Sequence, residues 1–111
     1  MIDLSGFTGT EHYYKDQFGV LLTDGSKYFA EAGKAYWAIS DMIVICKIHK
    51  KVKDVGFVSI NLSVKDEKAV ITYGDGNGVE LFSQKYEYTD LEAGDYGFYF
   101  ADNTLLLKGE Y

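Results

Sequence analysis

From Gly56 onward, apolar and polar positions alternate with a period of two. Val58, Ile60, Leu62 and Val64 fall on one side of an extended segment, and Phe57, Ser59, Asn61 and Ser63 on the other. That is the signature of a strand buried on one face. Lys65-Asp66-Glu67-Lys68 reads as a polar turn, after which Ala69, Ile71 and Tyr73 continue as a second strand. Gly74-Asp75-Gly76-Asn77-Gly78 supplies residues tolerant of positive φ and predicts a hairpin. Val79 to Tyr88 forms the next strand, with Phe82, Tyr86 and Tyr88 on one face. Tyr96 to Ala101 and Thr104 to Lys108 flank Asp102-Asn103, a tight turn. The pattern predicts an antiparallel meander of about five strands.

The first half is helical in character. Val20-Leu21-Leu22 is a short β-like run closed by Thr23-Asp24-Gly25. Asp24 or Ser26 can cap a short helix that stops at Gly33. Between Lys34 and Lys51, apolar side chains cover most of a helical wheel, leaving a narrow seam of Ser40, Lys47 and Lys51. Such a helix is expected at the centre of the core, wrapped by other elements. The expectation is an α+β fold: the meander packed on a buried helix, a shorter helix near the N-terminus, and one domain over residues 1–111.

Charge narrows the function classes. All eleven basic residues are lysine, and the net charge is −6. Without the guanidinium fork, and with this sign, direct nucleic-acid binding and an anionic membrane surface are both disfavoured. No run reaches the roughly 18 apolar residues of a membrane span, and Met1 to Gly6 carries no signal-peptide features. Up to residue 74, acids and lysines cancel; beyond it, eight acids face only Lys85 and Lys108. The last third is therefore the acidic part, to which a basic surface would be drawn. Cys46 is the single cysteine, which excludes an internal disulfide and fits a reducing cytoplasm.

Candidate chemistry is sparse. Asp75-Gly76-Asn77-Gly78 suggests a calcium loop, but Val79 and Tyr86 stand where further oxygen ligands belong, so hairpin chemistry explains it and no metal or other cofactor is expected. His49 follows Cys46 by about one helical turn, yet the thiol falls among Ile39 and Ile43, as a core cysteine does. Asp41 lies between Trp37, Ile45 and Ile48 on the wheel. A carboxylate there requires a donor: a lysine, a tyrosine hydroxyl, the Trp37 indole or loop amides. In one reading it ties the N-terminal loop to the helix. In the other it joins His12 and Tyr14 in a small-molecule or enzymatic pocket.

Tyrosine and acid interleave between Tyr86 and Tyr96. Tyr86, Glu87, Tyr88, Asp90, Glu92, Asp95 and Tyr96 predict an acidic–aromatic face suited to protein recognition, or else the ordinary decoration of strands. The sequence favours a non-catalytic, cytoplasmic interaction domain with a basic protein partner. A homo-oligomer joined through edge strands is compatible with that reading.

Several strings, in order, carry a resemblance: Phe7-Thr8-Gly9-Thr10-Glu11, Thr23-Asp24-Gly25, Tyr36-Trp37, Asp41, Asp75-Gly76-Asn77-Gly78, Thr89-Asp90, and the close from Tyr99-Phe100 through Asp102-Asn103 and Leu105-Leu106 to Glu110-Tyr111. Together they resemble a family of small bacterial, plasmid and phage-associated proteins known as a domain of unknown function. The Lys47–Lys53 stretch follows no pattern of that family. The resemblance implies an intracellular setting and a link with mobile elements, where small acidic proteins inhibit host defence or nucleic-acid-binding complexes. It supplies no catalytic residues.

Overall fold

A computed structural model describes residues 2–111. Its elements are β1 (Tyr14–Lys15), β2 (Leu21–Leu22), α1 (Asp24–Ala32), α2 (Tyr36–Ile48), β3 (Phe57–Lys65), β4 (Lys68–Gly74), β5 (Glu80–Tyr86), β6 (Gly94–Ala101), β7 (Thr104–Leu107) and a 3₁₀ turn, Lys108–Glu110. The fold is α+β, but the sheet has seven strands in the order β1-β2-β7-β6-β3-β4-β5. It is mixed, because β2 runs parallel to β7 through Leu21↔Thr104 and Leu22↔Leu105. Two-residue strands such as β1 and β2 are too short to show a period, which is why the sequence pattern yielded about five.

Nor is the pairing a meander. β3, β4 and β5 follow one another, and β6 then returns to the far side of β3, with Phe57↔Ala101 through Val64↔Gly94 in register. This is a Greek key: the fourth strand lies beside the first. The crossover, residues 87–93, must span the ends of β4 and β3. Alternation identifies strands but does not rank their partners, so the return was not visible in the pattern.

Two of the turns adopt positive φ without glycine. Asp66 and Glu67 (φ 54° and 63°) join β3 to β4, and Asp102 and Asn103 (φ 51° and 56°) join β6 to β7. Both are two-residue hairpins whose left-handed residues give a turn that matches the right-handed twist of the flanking strands. The Asp75 side chain closes the β4–β5 hairpin by accepting the Asn77 and Val79 amides at 2.7 and 3.3 Å.

Both helices lie on one face of the sheet. Phe29 of α1 meets Tyr96 and Phe98 with ring centroids 5.0 and 5.2 Å apart. Ala38, Ile39, Met42, Ile43 and Cys46 of α2 enter the same core as Val58, Ile60, Leu62, Ile71 and Tyr73. The expectation of a helix buried all round is corrected here. Only that stripe of α2 is fully buried; Trp37 and Ile45 pack half-buried at its margin, while Ile48 is 65% and Tyr36 49% exposed. A one-sided sheet offers a single layer of contacts, so a helix on it keeps an outer face. The helix also ends at Ile48, and Lys50, Lys51 and Lys53 lie beyond it in a turn anchored by buried Val52.

Candidate binding site

The Greek-key return gives the acidic segment its position. Residues 87–93 cross one end of the sheet, and buried Thr89 pins them there. Its amide donates to the Glu67 carbonyl over 2.7 Å, and its hydroxyl accepts the Leu91 amide over 3.1 Å. Leu91 tucks into the core. Tyr96 is corrected from a surface residue to a strut: it is buried, and its hydroxyl donates to the Glu92 carbonyl over 2.6 Å. Burial, and the nearby Glu92 charge, raise its pKa.

The crossover, α2 and the end of β5 together form an open cleft of about 440 Å³. Trp37 and Asp41 contribute from α2, Tyr86 from β5, and Tyr88, Thr89 and Asp90 from the crossover. The Tyr86 hydroxyl donates to the Asp41 carboxylate over 2.6 Å, and the Trp37 ring meets Tyr86 edge-on at 5.0 Å. Burial and the carboxylate beside it push the Tyr86 phenol well above its ordinary range. The donor that Asp41 requires is therefore a tyrosine hydroxyl. It joins helix to sheet, not helix to N-terminal loop. Tyr88 stands 69% exposed at the rim.

Asp90 also lines a second cleft, of about 450 Å³, with Glu92, Gly33 and Lys34. Glu92 accepts the Ile2 amide there. Glu87 is exposed beside Tyr88, and Asp95 is exposed on β6 opposite Ser63. Asp66 and Glu67 occupy the adjoining β3–β4 turn, so six carboxylates gather at this end, with Lys34, Lys65, Lys68 and Lys85 among them. The other end is balanced, its lysines facing Asp54, Asp75, Glu80 and Asp102. Lys47 donates to Asn103 in the β6–β7 turn over 3.0 Å, and Lys50, Lys51 and Lys53 follow in the stretch leading into β3.

His12 and Tyr14 do not join Asp41. They gather instead around Asp24 at the start of α1, with His12 Nδ1 3.9 Å from its carboxylate. The Asp24 carboxylate accepts the Glu11 and His12 amides at 2.9 and 3.4 Å, and the Glu11 amide above all lowers its pKa. Lys27 lies 5.0 Å over the Tyr14 ring. The N-terminal loop reaches α1 and stops there, which leaves the three-residue pocket unformed. Asp24 is not the cap of α1 either: Thr23 is, its hydroxyl oxygen accepting the Ser26 amide.

Cys46 is buried, which pushes its thiol up to about 12. The His49 ring packs instead against Phe82, tilted, with centroids 4.1 Å apart. Among the described residues no group of three or more His, Cys, Asp or Glu side chains is placed to hold a metal ion. Among them, too, no helix is long and apolar enough to cross a membrane.

Trp37 and Thr89 are the cleft residues outside both the acidic–aromatic face and the pocket that the sequence predicts. Thr89 carries no pattern of its own. Trp37 did carry a signal, since it precedes Asp41 by four residues and so shares its side of the helix.

The chain belongs to a family of unknown function (DUF6876), whose profile matches residues 2–111. No curated protein and no solved structure matches it.

Proposed function

We propose that the chain is a non-catalytic interaction domain that receives a basic protein surface at the acidic end of its sheet. One observation carries the reading: the Greek-key crossover assembles Glu87, Tyr88, Asp90 and Glu92 beside Asp66 and Glu67, while the lysines of residues 47–53 sit at the opposite end. The excess of acid at the crossover end attracts an approaching basic partner before contact. The tyrosines then offer flat, amphipathic area at small entropic cost. A protein that binds nucleic acid in the cytoplasm presents the required surface, and blocking it would make this domain an inhibitor.

The test is affinity capture with the full chain as bait. Glu87→Lys, Asp90→Lys and Asp95→Lys are combined in one variant, and Lys50→Glu, Lys51→Glu and Lys53→Glu in another. The first should lose the proteins held by the unaltered bait, and the second should keep them. Identical capture by all three baits overturns the proposal.

A further inference from the structure

We propose that the cleft between α2 and the crossover is a receptor for one basic side chain, an arginine or lysine of the partner, held between aromatic faces and two carboxylates. The inference rests on the interaction reading above and names the chemistry of its central contact.

Three rings, Trp37, Tyr86 and Tyr88, border a single opening with Asp41 and Asp90. Aromatic faces attract cations through their quadrupole, and the attraction grows where water is partly excluded. A carboxylate supplies the complementary charge, and a guanidinium can both stack on a ring and bond a carboxylate. A neutral apolar occupant would desolvate two carboxylates without compensation, and an anion would be repelled by both. The ion pairs among the described residues are His12–Asp24 and Lys27–Glu31, neither of which involves Asp41 or Asp90. Among the described residues, therefore, no cation pairs with either carboxylate.

The walls are also preset. The Tyr86 hydroxyl is committed to Asp41, which fixes that ring and that carboxylate relative to each other. Thr89, bonded to Glu67 and Leu91, holds the backbone between Tyr88 and Asp90. A cleft built this way needs little rearrangement to take a cation, which is where binding is usually weakened. About 440 Å³ accommodates a head group together with its aliphatic stem.

Trp37 is the only tryptophan of the chain, so its fluorescence reports on this cleft alone. N-acetyl-arginine amide and its neutral isostere, N-acetyl-citrulline amide, are titrated against the full chain at constant ionic strength. Arginine amide should change the emission saturably, and the citrulline compound should not. Tyr88→Ala and Asp90→Asn should each weaken arginine binding about three- to fivefold. Asp54→Asn, exposed at the opposite end of the sheet, should leave it unchanged. Absence of a saturable change, or equal responses to both compounds, overturns the receptor. If arginine fails here while the three-acid reversal still abolishes capture, this inference falls and the interaction reading stands. If arginine binds and capture survives the reversal, the interaction reading falls alone.

Discussion

The hydroxyl of Tyr86, at the end of the edge strand, donates to the carboxylate of Asp41, at the middle of α2, over 2.6 Å. This bond ties the helix to the strand farthest from β7 in the sheet order, where no further strand supports it. Bonds to a charged acceptor contribute more than neutral ones, so Tyr86→Phe should cost about 1–2 kcal/mol of folding stability. Asp41→Asn should cost a similar amount. Combined in one chain, the two changes should cost clearly less than their separate effects added, with a coupling of about 1 kcal/mol in urea unfolding. Additive losses would mean that the two groups do not act on each other.

Strand alternation and the distinct turn residues made β3, β4, β6 and the hairpins legible before any coordinates. Pairing order was not legible, because Val58–Val64 has the same apolar face whether β6 or another strand lies beside it. The helix was overread for a related reason. Val44 and Ile48 look like core residues in a wheel, yet a one-sided sheet fully buries only the stripe of Ala38, Ile39, Met42, Ile43 and Cys46, with Trp37 and Ile45 packed at its margin. The need for a donor at Asp41 was legible from the cost of burying a carboxylate, whereas the donor's identity depended on where β5 ended. The supposed partnership of His12 and Tyr14 with Asp41 failed because Asp24 captures their loop through the Glu11 and His12 amides.

The buried thiol of Cys46 sets an alkaline limit. Its pKa rises from 9.0 to about 12 because burial disfavours the thiolate, and the Tyr73 and Tyr86 phenols are raised for the same reason. Groups raised in the folded state add stability that is complete below their unfolded values and is lost as pH rises toward the folded ones. Stability should thus be insensitive to these groups from neutrality to about pH 9 and decline above it. At pH 8, Cys46 should react with a thiol reagent many times more slowly in the native chain than in urea. Equal rates would place the thiol in water.

Glu110 closes the chain onto α1. Its Oε1 accepts the Thr23 hydroxyl at 2.6 Å and the Leu107 amide at 3.0 Å, and its Oε2 accepts the Gly25 amide at 3.1 Å. Gly25 has no side chain to intrude, since a Cβ there would collide with Glu110 and Leu107. Three donors converging on one half-buried carboxylate should make Glu110→Ala cost about 2–3 kcal/mol. Glu110→Gln, which keeps the shape but loses the charge and one acceptor, should cost less. Thermal unfolding of the two variants checks the order, and equal midpoints would deny the carboxylate its role.

The end of α1 carries its glycine one position early. The Ala35 amide returns to the Ala30 carbonyl at 2.9 Å and the Lys34 amide to Glu31 at 3.3 Å, the bonding of a Schellman motif. The left-handed residue of that motif is Lys34 (φ 51°), whereas Gly33 keeps an ordinary right-handed conformation (φ −89°). Gly33 is instead required by proximity, because a Cβ would come within 3.0–3.1 Å of Ile2, the Phe29 carbonyl and Leu91. The two positions should therefore respond in opposite directions. Lys34→Gly relieves the left-handed penalty of about 1 kcal/mol that a side chain carries, and should raise the unfolding midpoint by a few degrees. Gly33→Ala forces the Ile2 and Leu91 side chains outward and should lower it, despite the helix preference for alanine. A Gly33→Ala chain more stable than the unaltered one would show that the contact with the crossover is loose. The anchoring of Asp90 beside the cleft would then rest on Thr89 alone.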